Sequence, residues 1–107
     1  MKQNKRHKLQ LFHDILTAIE HDMYHNEGAQ VAKPTHVQQY SRLSYDKMTS
    51  IFGDLKSKDM IVRCENSGLL AITSKGRTFV KQYRELINLI EDFGLDKSEI
   101  SINNIQE

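Results

Sequence analysis

The residues between Pro34 and Ser57 constrain this chain more than any others. After Pro34, Thr35 followed three residues later by Gln38 has the spacing of a capping box, and Val37 and Tyr40 supply the inward face of the short helix it would open, which runs only to Tyr40 or Ser41. Ser44 then restarts a helix: its hydroxyl is placed to cap the following turn, and Met48, Ile51, Phe52 and Leu55 recur at helical spacing. Leu43 falls in the break, where it plugs the angle between the two segments.

Two short helices joined by a turn of about three or four residues are the helix-turn-helix unit. Before it, Leu9, Phe12, Ile15, Leu16, Ile19 and Met23 lie on one face of a helix spanning Lys5 to His25, with His7, Asp14, Glu20, His21 and Asp22 mostly on the other. Asn26-Glu27-Gly28 ends that helix, and Val31 can supply one strand-like contact. After the unit, Met60-Ile61-Val62-Arg63-Cys64 and Leu69-Leu70-Ala71-Ile72 flank the turn residues Glu65-Asn66-Ser67-Gly68, which predicts a small hairpin. Thr73 then caps a long helix from Ser74 to about Phe93. In it, residues 79, 83, 86, 90 and 93 step by four and three in alternation, a heptad seam. Gly94 is placed to end the helix in the left-handed conformation, with Leu95 making the apolar contact that accompanies such an ending. The fold class expected is therefore mainly α with a small β-hairpin.

The 107 residues suit one domain with a modest core, and no apolar run approaches the length of a membrane span. The first residues, MKQNKRHKLQLFHDIL, are basic but lack the continuous apolar region of a secretory signal. The single cysteine, Cys64, cannot form an internal disulfide and is expected as a half-buried strand residue, which fits a cytoplasmic location. Net charge is +1, too small for a bulk polycation. Its distribution is uneven: residues 1–64 hold 10 Lys and Arg against 7 Asp and Glu, whereas residues 65–107 hold 5 against 7. Nucleic-acid affinity in such a chain must come from local patches or from two copies acting together.

Catalytic signatures are missing from the sequence: it has no Gly-rich phosphate loop, nucleophile elbow or HExxH, and an enzyme is not expected. His21 and His25 have metal-ligand spacing on one helical face, but no Cys, Asp or Glu is placed to complete a site, so neither metal nor cofactor is expected. His13 and His36 are isolated.

In element order the chain resembles a winged helix-turn-helix domain with an appended dimerisation helix, and more narrowly the small archaeal winged-helix proteins of this size. Three segments carry the likeness: Thr35-His36-Val37 leading to Leu43-Ser44-Tyr45; Lys58-Asp59-Met60-Ile61 after the third helix; and Thr73-Ser74-Lys75-Gly76 opening the last. Two positions depart from the pattern. Asp59 stands where glycine is usual, and Asp tolerates the left-handed conformation better than most residues. Arg42 stands where asparagine is common, adding positive charge to the turn. The resemblance implies a dimeric DNA-binding protein with the third helix in the major groove.

Helical geometry selects the residues for that role. With the apolar face inward, Asp46, Ser50, Gly53 and Ser57 point furthest out, flanked by Tyr45, Lys47 and Thr49. The DNA-contacting set expected is Arg42, Ser44, Tyr45, Asp46, Lys47, Thr49, Ser50, Lys56 and Arg63. Lys33, Lys58 and the basic N-terminal residues Lys2, Lys5, Arg6 and Lys8 are further phosphate contacts. Asp46 has two readings: acceptor for a cytosine amino group, or stabiliser of the helix N-terminus, the latter favoured. Gly53 likewise permits close backbone approach or is merely tolerated.

A helix of about 20 residues is roughly 30 Å long and outruns so small a core. Phe79, Tyr83, Leu86, Leu89, Ile90 and Phe93 are therefore expected to pair with a second chain, against the alternative of folding back on the first helix. The organisation expected is a winged helix-turn-helix domain over 5–72, a dimerisation helix over 73–95 and an unassigned tail over 96–107. The function expected is a dimeric regulator or nucleoid-associated factor bound to double-stranded DNA, away from any membrane. The rival is a winged-helix module that docks another protein; a metal-sensing regulator using His21 and His25 is a third reading.

Overall fold

The computed structural model describes residues 7–25 and 30–96. It has four helices and one hairpin: α1 (Lys8–His25), α2 (Pro34–Ser41), α3 (Tyr45–Ser57), β1 (Ile61–Arg63), β2 (Leu70–Ile72) and α4 (Ser74–Asp92). This is the mainly helical class with a small β-hairpin that the sequence predicts. Residues 26–28, where the sequence ends the first helix, lie outside the described residues, as do 97–107 of the tail.

One core joins every element. Leu11, Phe12, Ile15, Leu16 and Ile19 of α1 meet Val37 of α2, Met48, Ile51, Phe52 and Leu55 of α3, Ile61, Leu70 and Ile72 of the hairpin, and Val80 of α4. Full burial of each such side chain is worth about 1.5–3 kcal/mol, so α1, which supplies the most, is the spine of the domain. Leu43, in the break between α2 and α3, packs half-buried against this core as expected.

Local chemistry sets most boundaries. The Ser44 hydroxyl accepts from the Lys47 N–H at 3.2 Å and opens α3, and the Thr73 hydroxyl accepts from the Gly76 N–H at 3.1 Å and opens α4. Two helices end in the same left-handed motif. At the end of α3, Asp59 has φ 63°, and the Met60 N–H reaches Leu55 O at 2.9 Å. At the end of α4, Gly94 has φ 72°, and the Leu95 N–H reaches Ile90 O at 2.8 Å.

α2 departs from expectation in two ways. Its N-cap is Lys33 with Pro34 at the first helical position, so Thr35 lies inside the helix and makes no capping box. The capping role passes to Asp22 of α1, whose carboxylate accepts from the Lys33 N–H and pairs with His36 Nδ1, both at 2.8 Å. Asp22 is only 2% exposed, not on a solvent face, and it fixes the start of α2 onto the end of α1. Tyr40, expected inward, is half exposed with its ring edge against His21. The inner position belongs to Ser41, one residue on and four from Val37, whose buried hydroxyl donates to Val37 O at 2.8 Å.

In the hairpin, Ile61, Val62 and Arg63 pair antiparallel with Ile72, Ala71 and Leu70. Ala32 adds a one-residue third strand on the far side of β2, exchanging both backbone hydrogen bonds with Leu70 at 2.7 and 2.9 Å. The strand bridge thus falls on Ala32, whose side chain is fully buried, and not on Val31. Cys64 is also displaced from expectation: it lies just past β1 at the hairpin turn and is exposed.

Gly76 explains the Thr-x-Lys-Gly segment. A Cβ at this buried position would collide with Met60 O and approach Ile72 Cγ1 to 2.8 Å. Met60 O already accepts from the Thr73 N–H at 3.0 Å, and the Thr73 hydroxyl donates to Asp59 O at 2.7 Å. The end of α3, the hairpin and the start of α4 are therefore clamped at one point.

Candidate nucleic-acid interface

α3 presents an uninterrupted polar face. Tyr45, Asp46, Lys47, Thr49, Ser50 and Lys56 are all exposed, as are Ser44 at its cap and Arg42 in the preceding turn. The structure thus groups eight of the nine expected residues on and beside one helix. Tyr45 projects furthest among its apolar-bodied neighbours, at 61% exposure.

The turn that aims α3 is held by its own residues. Arg42 sits at φ 59°, a left-handed conformation that a glycine or asparagine would adopt at lower cost. Its N–H reaches Gln38 O at 2.9 Å, and the Gln38 side-chain amide donates to Leu43 O at 3.2 Å. Gln38 is the positioning residue of this turn, a role that capping-box spacing concealed. The guanidinium of Arg42 is left in solvent beside the α3 N-terminus, where positive charge is available to an anion.

Arg63, the ninth residue of the expected set, lies apart from the helix on the hairpin. It is half-buried: Nε donates to Gly68 O at 3.2 Å across the hairpin turn, and the guanidinium carbon lies 5.6 Å from the Phe52 ring centroid. Such a cation–π contact and its hydrogen bond make Arg63 a strut of the hairpin before it is a phosphate contact. Of the basic N-terminal stretch, Lys8 is the residue described. Lys8 lies 3.6 Å from Asp54 on α3, and Lys2, Lys5 and Arg6 fall outside the described residues. Lys33 and Lys58 are exposed.

Hydroxyl roles on α3 are also fixed. The Thr49 hydroxyl donates to Tyr45 O at 2.8 Å and that of Ser57 to Asp54 O at 2.8 Å, so each keeps only acceptor capacity for an outside partner. Gly53 faces open space, with nothing within 4 Å of where a Cβ would stand. The fold therefore has no steric need for glycine there.

The heptad seam of α4 divides. Its first half folds back on α1: Phe79 lies 6.0 Å from Phe12 and Tyr83 lies 4.7 Å from the His13 ring, centroid to centroid. Burial, and then the nearby Asp14 charge, hold the Tyr83 phenol above its ordinary value of 10.0. Ile90, expected at an interface, is 3% exposed within the single chain and offers no free surface. Leu86 is half-buried. Leu89, Phe93 and Leu95 remain 52%, 73% and 50% exposed, an apolar group at the far end of the helix.

His21 and His25 stack at 4.2 Å, with His25 Nδ1 2.9 Å from His21 O. Among the described residues no three His, Cys, Asp or Glu side chains are grouped to hold a metal, and no helix is long and apolar enough to cross a membrane.

The family model described as winged helix-turn-helix matches residues 5–91, most of the chain. No curated protein matches it.

Proposed function

The chain belongs to the winged helix-turn-helix family, whose domains in general bind DNA and are typically not enzymes, and on that premise we propose a dimeric DNA-binding protein, a transcriptional regulator or nucleoid-associated factor. α3 enters the major groove with Tyr45, Asp46, Lys47, Thr49 and Ser50 toward the bases. Arg42, Lys56 and Lys58 neutralise phosphates on either side, with Arg63 bracing the hairpin. Dimerisation runs through the exposed end of α4, centred on Leu89 and Phe93, and doubles the modest charge of one subunit. The observation that carries this reading is the outer face of α3: polar, exposed along its length, and flanked by cations that no described acid neutralises.

Anisotropy titration of duplex DNA at about 50 mM salt tests it. A dimer making about six phosphate contacts should lose roughly a thousandfold in affinity by about 200 mM. Replacing Arg42 and Lys47 by Ala should reduce both affinity and salt slope. Folded protein that binds no duplex refutes the proposal and leaves a protein-docking module.

A further inference from the structure

α3 carries no Arg, Asn or Gln between Tyr45 and Ser57, which leaves Lys47 and Lys56 as its cationic donors. Beside them it turns outward two groups that can only accept, at Asp46 and Thr49. Asp46 is exposed and, among the described residues, has no hydrogen-bond or ion-pair partner. The cap of α3 is made by Ser44 Oγ; Asp46, in the first turn, favours the helix N-terminus through its charge alone and keeps its carboxylate oxygens open to an outside donor. Three residues on, and so on the same face, Thr49 has given its only hydroxyl proton to Tyr45 O at 2.8 Å and presents a lone pair and a methyl group.

Resting on the proposed function, we infer that Asp46 is a specificity-determining residue that selects cytosine in the major groove, with Thr49 as a second acceptor beside it. An ionised carboxylate can only accept, and the cytosine N4 amino group is the donor that the major-groove edge of a G·C pair offers. Guanine at the same place turns O6 and N7 toward the carboxylate, acceptor against acceptor. The repulsion between Asp46 and the phosphates is the same at every sequence, and only a facing N4 amino group offsets it. A desolvated carboxylate left unpaired, or set against guanine O6 and N7, weakens the wrong complexes, while Lys47 and Arg42 supply the attraction common to all sequences.

Selection of sites from a random duplex pool, followed by anisotropy titration of the chosen duplex, tests this. Selected sites should carry cytosine at one fixed position per half-site. Substituting N4-methylcytosine there, which crowds the amino group, should weaken wild-type binding roughly tenfold, whereas 7-deazaguanine in the pairing partner should not. Asp46→Asn presents an amide that pairs with adenine N6 and N7, so its selected sites should change from cytosine to adenine at that position. If Asp46→Asn tightens all duplexes by one factor with base preference unchanged, or if N4-methylcytosine has no effect, this inference is wrong while DNA binding stands. Absence of binding to any duplex overturns both.

Discussion

Gly53→Ala separates what the fold requires from what the interface requires. Gly53 lies in the middle of α3, exposed, and a Cβ built there meets nothing within 4 Å. No strain or collision opposes the substitution, and a helix-interior glycine costs about 0.8–1 kcal/mol relative to alanine. The variant should therefore be more stable by about 1 kcal/mol, which for a domain near this size raises the melting temperature by roughly 4–8 °C. Binding should move the other way. The methyl group would stand on the outward line with Asp46 and Ser50 and hold the helix away from the groove floor. Losing one good base contact costs about 1–3 kcal/mol, roughly 5- to 150-fold in affinity. Calorimetry or circular dichroism gives the first quantity and anisotropy on a selected duplex the second. A variant that is stabilised but binds as well as wild type shows that Gly53 is not at the interface. One that is destabilised shows that the helix surface there is not open.

Gly76→Ala should destabilise by about 2 kcal/mol or more in thermal unfolding, since the clash is with the Met60 carbonyl, which is backbone and cannot move aside. Asp22→Ala should cost about 1.5–3 kcal/mol in urea unfolding by removing the buried charged acceptor that holds the Lys33 N–H and His36. The Tyr83 phenol, raised above 10.0, should ionise above that value in an ultraviolet titration of the folded protein. Unfolded chain loses this proton first, so the contribution is whole below pH 10.0 and stability falls as pH rises through the folded pKa. Phe93→Asp should convert the proposed dimer to a folded monomer in sedimentation, because the residue is 73% exposed. A wild-type monomer would refute the dimer, and a dimer unchanged by the substitution would place the interface elsewhere.

Features set by neighbours in sequence were legible in it. Ser44, Thr73, Asp59 and Gly94 act within a turn of themselves, and each stands where the residue pattern places it. Features set across the fold were not. Asp22 reads as one more acid on a polar face until its contacts 11 and 14 residues away place it in the core. Tyr40 was misplaced because α2 spans 8 residues, too few turns for periodicity to choose between it and Ser41. Arg63 looked free because its partners, Gly68 O and the Phe52 ring, adjoin it only after the hairpin closes. On α4 the heptad spacing was real, but spacing does not reveal which copy of an apolar face a residue meets. Phe79 meets Phe12 of its own chain.

Thr73 is at once the residue that leaves the hairpin and the cap of α4, locked to Asp59 and Met60 behind it. Among the described residues no hinge separates α3, the proposed DNA-contacting helix, from α4, the proposed dimer helix. In a dimer joined through α4, the distance between the two recognition helices is then a rigid ruler, cut by helix length and not tuned by a tether. Half-sites at another spacing could be occupied together only if the DNA itself bent, so the protein would measure how far apart its sites lie as strictly as what they spell.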